Sequence, residues 1–113
     1  MIALSRDRYW LEGARLVLDA GLFVAGLEFA SGKPAIVAGK PSAAFYTTAL
    51  RSMGVDSPAS AAMVGDDLWS DVQGAQRAGL QGWLVRTGKY RESALTESGI
   101  VPDLILDSVA VLK

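Results

Sequence analysis

Short apolar runs separated by longer amphipathic stretches dominate the hydrophobic pattern of this 113-residue chain. Four runs, at 35–38, 61–64, 82–85 and 103–106, have the length and composition of buried strands. Two of the stretches between them carry apolar residues at helical spacing, namely Phe45, Ala49, Leu50 and Met53, then Leu68, Val72, Ala75 and Ala78. Strands that alternate with helices predict right-handed βαβ units and a parallel sheet, so the expected class is α/β.

The two ends of the chain have weaker patterns. Residues 19–32 predict a further helix that ends at Gly32, with four partly buried apolar side chains, Leu22, Ala25, Leu27 and Phe29. Residues 3–19 fit a linker, a hairpin or an irregular arm. Residues 107–113 predict one or two final helical turns.

Composition narrows the classes of function. Half of the residues are apolar, a fifth are charged and the net charge is −1, which is typical of one globular domain. Without a clustered basic face, no nucleic-acid partner is expected. The chain has no cysteine and no histidine, so thiolate or histidine metal sites and Ser-His-Asp catalysis are excluded. No apolar run is long enough to span a membrane and the start lacks a signal-peptide pattern, so we expect a cytoplasmic protein without a membrane partner.

Clustered acids follow one predicted strand and a lysine follows another. Asp66, Asp67 and Asp71 come after the second apolar run and Gly65, and Lys40 comes after the first run. The carboxyl ends of parallel strands meet at one edge of a sheet, where ligands bind. Neighbouring carboxylates repel one another unless a cation offsets them, and oxygen ligands suit Mg²⁺. The turn at Gly65 and the lysine could bind a phosphoryl group. These residues therefore suggest Mg²⁺-dependent phosphoryl chemistry.

Simpler interpretations remain open for each feature taken alone. Acids at this place are also typical of a helix N-terminus, and a Gly-Lys-Pro sequence is typical of a turn. The basic residues Arg86, Lys89 and Arg91 fit a solvated loop as well as a site. A receiver-like signalling domain also combines acids, a lysine and Mg²⁺, but receivers place their acidic pair early and their lysine after it.

The combination of motifs resembles the C-terminal half of haloacid dehalogenase (HAD) superfamily phosphatases, in the branch with an α/β cap inserted before the lysine motif. Three segments carry the resemblance: "VAGKPS" (37–42), "MVGDDLWSDVQGAQRAGL" (63–80) and "GWLVRTGKYRES" (82–93). It implies a Rossmann-like parallel sheet with flanking helices, of which this chain would hold only part. It also implies Mg²⁺ as the cofactor and a small phosphorylated compound as the substrate.

The resemblance implies roles for individual residues. Lys40 resembles the lysine that stabilises the nucleophile and the bound phosphoryl group. Asp66 resembles the Mg²⁺ ligand, and Asp71 resembles the acid that supports the metal shell or orients Lys40. Asp67 stands at a variable family position and is a weaker metal candidate.

The aspartate pair that provides the family's nucleophile has no counterpart in the sequence. Neither Asp7 nor Asp19 has the strand-then-Asp-x-Asp pattern, and Ser5 is only a faint candidate for the second motif. We therefore expect residues 1–18 to be the end of a cap or a linker arm, and residues 19–113 to be the C-terminal half of a HAD-like core.

Two functions follow from this expectation. The first is the C-terminal portion of a Mg²⁺-dependent phosphohydrolase, inactive alone. The alternative is a non-enzymatic module that binds metal, phosphate or a partner. Without the nucleophile strand, an apolar strand edge would be exposed. We therefore expect the chain to form a homo-oligomer or to pair with a missing N-terminal half.

Overall fold

The computed structural model describes residues 1–112. The first half contains a short strand, a hairpin, a helix, a second short strand and a helix: β1 (Ile2–Ala3), β2 (Tyr9–Glu12), β3 (Arg15–Leu18), α1 (Gly21–Ser31), β4 (Ile36–Val37) and α2 (Ala43–Ser52). The second half alternates strands and helices: β5 (Ala62–Gly65), a wide π-type turn (Leu68–Gln73) continuing into α3 (Gly74–Arg77), β6 (Gln81–Val85), α4 (Glu92–Ser98) and β7 (Leu104–Leu106). Single 3₁₀ turns occur at Pro58–Ser60 and Val109–Val111.

Three of the four predicted strands form one parallel sheet, and the first predicted strand, now β4, lies in a separate sheet. β6 lies between β5 and β7, and both pairings are parallel, with Val64 opposite Trp83 and Leu84 opposite Ile105. β1 pairs with β4 in a second, two-stranded parallel sheet. The α/β class expected from the apolar runs is therefore confirmed.

The N-terminal segment is a hairpin, one of the three forms that its sequence allowed. β2 and β3 pair antiparallel, and Gly13 in the connecting turn has a φ of +60°. Glycine adopts this left-handed conformation without the steric cost that a side chain would add.

The main core lies between the sheet β5–β7 and the helices on one of its faces. Leu68 and Val72 of the π-type turn pack with Leu84 of β6 and Ile100 after α4. Leu68, Val72 and Ala75 are buried, as the helical spacing predicts, whereas the fourth member of that face, Ala78, is only partly buried.

Helix α1 ends at Gly32 as predicted, with Gly32 in the left-handed conformation, but its predicted burial is wrong. Leu22, Ala25, Leu27 and Phe29 are all exposed, Phe29 to 92%, and Val24 is the buried residue of this helix. The reason is that, within residues 1–112, no other element covers the face that these side chains form.

Helix α2 covers most of the stretch in which apolar residues recur at helical spacing. Ser42 is the residue before the first turn, and its side chain accepts a hydrogen bond from the Phe45 N–H. Tyr46 and Leu50 are the buried residues. Phe45 and Met53, which the spacing placed on the apolar face, are both exposed. Within residues 1–112, no helix has both the length and the apolar character that crossing a membrane requires.

Candidate functional site

The structure brings Lys40 and Asp71 into direct contact. Lys40 lies between β4 and α2, and its Nζ is 2.5 Å from Oδ1 of Asp71 in the π-type turn. The Asp71 side chain is only 4% exposed, whereas that of Lys40 is 35% exposed. The other carboxylate oxygen of Asp71 accepts the Asp67 N–H at 3.1 Å. The buried carboxylate of Asp71 therefore contacts the Lys40 ammonium, while part of the Lys40 side chain stays exposed to solvent.

Gly65 makes room for this pair. It ends β5, and a Cβ at this position would overlap the carboxylate of Asp71. The close approach of Asp71 to the backbone explains why glycine suits this position. A role of Gly65 in phosphate binding stays a prediction.

Asp67 caps the π-type turn. Its Oδ1 accepts the N–H groups of Trp69 (3.0 Å) and Ser70 (2.9 Å), and its Oδ2 lies 2.9 Å from Nζ of Lys89. Burial opposes ionisation of this carboxyl, but the Ser70 N–H, the Lys89 ammonium and the Trp69 N–H outweigh burial and lower the pKa of Asp67 below its usual value. The helix-terminus interpretation of the acids is therefore correct for Asp67.

Asp66 differs from its two acidic neighbours. Its Oδ2 accepts the backbone N–H of Lys89 at 2.6 Å, while its Oδ1 has no hydrogen-bond partner and the residue has no ion pair within residues 1–112. Gly88, with a φ of +51°, packs so closely that a Cβ there would overlap Oδ2 of Asp66. The turn after β6 thus fixes one oxygen of Asp66 and leaves the other available.

Two further charged residues belong to this cluster: Lys89, for which the sequence left a site and a solvated loop open, and Asp7, which the sequence did not identify as a site residue. Lys89 is only 16% exposed and joins Oδ2 of Asp67 to Oδ2 of Asp7, which lies 3.2 Å from its Nζ. The other oxygen of Asp7 accepts the Ser70 hydroxyl at 2.7 Å. Burial opposes the charge of Lys89, but the two carboxylates outweigh it and raise the pKa of Lys89.

The sequence indicated different things about Lys89 and Asp7. Lys89 was one of three basic residues in the turn after β6, a pattern that fits a solvated loop equally well. Arg86 does follow the solvated pattern, in an exposed pair with Asp107 at 3.1 Å, and Arg91 contacts the backbone of Gly88 and Tyr90. Asp7 had no sequence signal, because its contact with Lys89 spans 82 positions.

Tyr46 of α2 forms a hydrogen bond to the π-type turn. Its buried hydroxyl donates to the Ser70 carbonyl, next to Asp71. Burial, followed by the negative charges of Asp71, Asp67 and Asp7, raises the pKa of Tyr46 to about 12.

The acids do not form a cluster of three metal ligands. Within the described part of the chain, residues 1–112, no three acidic side chains group closely enough to hold a metal ion together. Lysine ammonium groups already neutralise Asp67 and Asp71, and Asp66 keeps an unpartnered oxygen within this part of the chain. Oxygen is the donor that Mg²⁺ prefers, so Asp66 fits a metal ligand best. Metal binding by Asp66, Asp67 and Asp71 stays a prediction.

A cavity of about 200 Å³ adjoins the Lys40–Asp71 pair. One wall is the segment from Arg6 to Tyr9, and the other includes Pro41, Trp69 and Ser70. Asp67 also lines the cavity and donates its backbone N–H to the Asp71 carboxylate, so the cavity lies close to the charged pair.

The sequence and the fold of the chain have counterparts among known proteins. Residues 37–112 match the family model described as HAD-hydrolase-like, which is more than half of the chain. The chain belongs to the HAD-like hydrolase family. The match begins within β4, and the predicted division of the chain at residues 18 and 19 stays a prediction.

Curated relatives are phosphatases or HAD-like hydrolases. The chain is 42% identical over 110 residues to phospholysine phosphohistidine inorganic pyrophosphate phosphatase from Homo sapiens, covering 97% of this chain and 40% of that protein. It is 42% identical over 108 residues to haloacid dehalogenase-like hydrolase domain-containing protein 2 from Bos taurus, covering 96% and 41%. The chain thus spans about 40% of the length of these relatives.

Solved phosphatase structures share the fold. A p-nitrophenyl phosphatase from Archaeoglobus fulgidus matches with a TM-score of 0.82 at 28% identity, over 96% of this chain and 43% of that one. A glycerol phosphate phosphatase from Mycobacterium tuberculosis, in complex with magnesium, matches with a TM-score of 0.79 at 31% identity, over 96% and 33%.

Proposed function

We propose that this chain is the C-terminal portion of a Mg²⁺-dependent HAD-like phosphohydrolase that acts on small phosphorylated compounds. One observation carries the proposal, the contact between the ammonium of the partly exposed Lys40 side chain and the buried carboxylate of Asp71. The relatives support it, since they include phosphatases and a magnesium complex. A cytoplasmic location stays a prediction.

Each residue of the pair has a distinct task in this proposal. Asp71 fixes the direction of the Lys40 side chain, because its nearly buried carboxylate contacts the ammonium at 2.5 Å. Lys40 then binds the phosphoryl oxygens as a compact point charge and offsets the negative charge that develops on them. Asp67 and Lys89 hold the surrounding turns in place.

Asp66 would hold Mg²⁺ through its unpartnered oxygen. The ion, when bound, would supply positive charge that polarises the phosphoryl group. The N–H of Lys89 keeps the carboxylate of Asp66 oriented, so the available oxygen needs little rearrangement to bind a cation.

The nucleophile belongs, in this proposal, to a partner segment that the chain does not contain. Three features support it: the sequence has no Asp-x-Asp motif after a strand, the chain spans about 40% of its relatives, and β5 pairs only with β6 within residues 1–112. A strand could therefore add to the free edge of β5, from a complementary N-terminal half or from a second copy of the chain.

A chimaera tests the proposal. The chain alone should release no phosphate from p-nitrophenyl phosphate with Mg²⁺. Fused behind the N-terminal part of the human relative that precedes the matched region, it should do so. In the fusion, Lys40→Met and Asp66→Asn should each lower the rate by at least about a hundredfold, as losing a charge-stabilising group does. Lys33→Met, a change at an exposed lysine, should leave the rate unchanged.

Two results would contradict the proposal. Activity of the chain alone that Asp66→Asn abolishes would show that it needs no partner segment. A folded fusion without activity that still binds Mg²⁺ or phosphate would favour the non-enzymatic module.

A further inference from the structure

We propose that the cavity beside Lys40 receives the leaving group of the substrate, and that Arg8 recognises a second anionic group on it. This inference rests on the proposed function, because it assumes that a phosphoryl group binds at Lys40. It narrows the substrate class to phosphorylated compounds that carry another acidic group close to the phosphorus.

The position of the cavity links it to the reacting group. Asp67 lines it and donates its backbone N–H at 3.1 Å to the carboxylate of Asp71, the partner of Lys40. A phosphoryl group beside Lys40 therefore places its substituent within reach of the cavity. A volume of about 200 Å³ suits a substituent of a few heavy atoms.

The charge available in the cavity wall is positive. Asp7 and Asp67 both contact Lys89, and Arg6 forms an ion pair with Glu28 at 2.6 Å. Arg8 is different, because its side chain has no ion pair or hydrogen bond within residues 1–112. Its guanidinium lies 5.6 Å from the ring centroid of Trp69, so an aromatic face orients it while its donors stay available.

The backbone around Arg8 is held in place, so its side chain starts from a defined point. The Arg8 carbonyl accepts the Asp19 N–H at 3.2 Å, and the Asp7 carbonyl accepts the Gly21 N–H at 2.9 Å. These bonds tie the segment to the start of α1. Because the segment and Trp69 are positioned before binding, an anionic group costs little ordering when it pairs with Arg8.

Two ligands of nearly equal size test the inference. Phosphonoacetate and propylphosphonate share the phosphonate group and differ only in a carboxylate or an ethyl group at the far end. Their dissociation constants are measured on this chain with Mg²⁺, by amide chemical shifts and by fluorescence. Phosphonoacetate should bind about tenfold more tightly, since a charge-assisted contact is worth roughly that factor.

Two variants test whether Arg8 causes the preference for phosphonoacetate over propylphosphonate. Arg8→Gln should weaken phosphonoacetate binding about tenfold and leave propylphosphonate binding unchanged. Arg15→Gln, at an exposed arginine of the same hairpin that lies outside the cavity lining, should change neither. Circular dichroism confirms that each variant is folded before its affinity is compared.

The outcomes separate this inference from the proposed function. Equal affinities, or a preference that survives Arg8→Gln, overturn the inference. If Lys40→Met still weakens both ligands in that case, the proposed function stands. If neither ligand binds the unaltered chain, the inference fails, and the activity of the fusion then decides the proposed function separately.

Discussion

The Lys40–Asp71 pair gives a quantitative prediction about stability. Lys40→Met keeps most of the side-chain volume but removes the cation, and leaves the nearly buried carboxylate of Asp71 with the Asp67 N–H as its one remaining donor within residues 1–112. Asp71→Asn removes the negative charge and keeps an oxygen that can accept this N–H. The double variant should therefore recover part of what Lys40→Met loses.

The loss in free energy of unfolding caused by Lys40→Met should lie between two limits. Breaking a buried ion pair costs about 3–5 kcal/mol, whereas exposed pairs contribute about 0–1 kcal/mol. Because Asp71 is buried and Lys40 is 35% exposed, we expect Lys40→Met to lower the free energy of unfolding by about 2–3 kcal/mol. The coupling energy between the two substitutions should be about 1–2 kcal/mol.

Urea unfolding followed by tryptophan fluorescence and circular dichroism measures all four proteins of this double-mutant cycle. Lys33→Met serves as the control for loss of an exposed lysine and should change stability by less than about 0.5 kcal/mol. Additive effects of Lys40→Met and Asp71→Asn, within about 0.5 kcal/mol, would refute the argument that the two charges depend on each other.

Three other predictions concern the surroundings of this pair. Gly88→Ala should destabilise the fold more than Gly13→Ala, since both glycines have positive φ but only a Cβ at position 88 meets Asp66; equal losses in thermal unfolding would contradict this. In the unaltered chain, Lys89 should contribute stability that is fully present below pH 10.5, the ordinary lysine pKa, and is lost as pH rises through the raised pKa of Lys89. Lys89→Met should lack this contribution. If the free energies of unfolding of the two proteins differ by the same amount at every pH from 7 to 12, the prediction for Lys89 is contradicted. Tyr46→Phe should cost about 1–2 kcal/mol in urea unfolding, because a buried carbonyl loses its donor, and a change near zero would count against that bond.

The fold was predictable where burial decides the structure. Strands β5 to β7 lie within a residue or two of the apolar runs, because a strand inside a parallel sheet must be apolar. The contact of Lys40 with Asp71 was also expected, from the rule that the carboxyl ends of parallel strands share one edge. Within residues 1–112, however, β4 and β5 belong to separate sheets, so the rule describes this contact only in outline. Both predictions used local sequence and one general rule of topology.

The remaining features depend on contacts that a local pattern does not contain. The apolar spacing of α1 predicts a face but not whether another element covers it, and Phe29 is therefore exposed. The contact of Asp7 with Lys89 depends on the paths of two distant loops. The pairing of two of the acids with lysines, which leaves Asp66 alone with an available oxygen, also required the structure.

In the proposed function, Lys40, Asp66 and Asp71 line one site that holds a divalent cation beside a phosphoryl group. Mn²⁺ tests it directly, because it replaces Mg²⁺ at oxygen sites and broadens nearby nuclear magnetic resonance signals. With propylphosphonate present, Mn²⁺ should broaden the amide signals of these three residues and the ligand's ³¹P signal. Excess Mg²⁺ should reverse this broadening, and Asp66→Asn should prevent it. Broadening centred elsewhere, or unaffected by Asp66→Asn, would contradict the account.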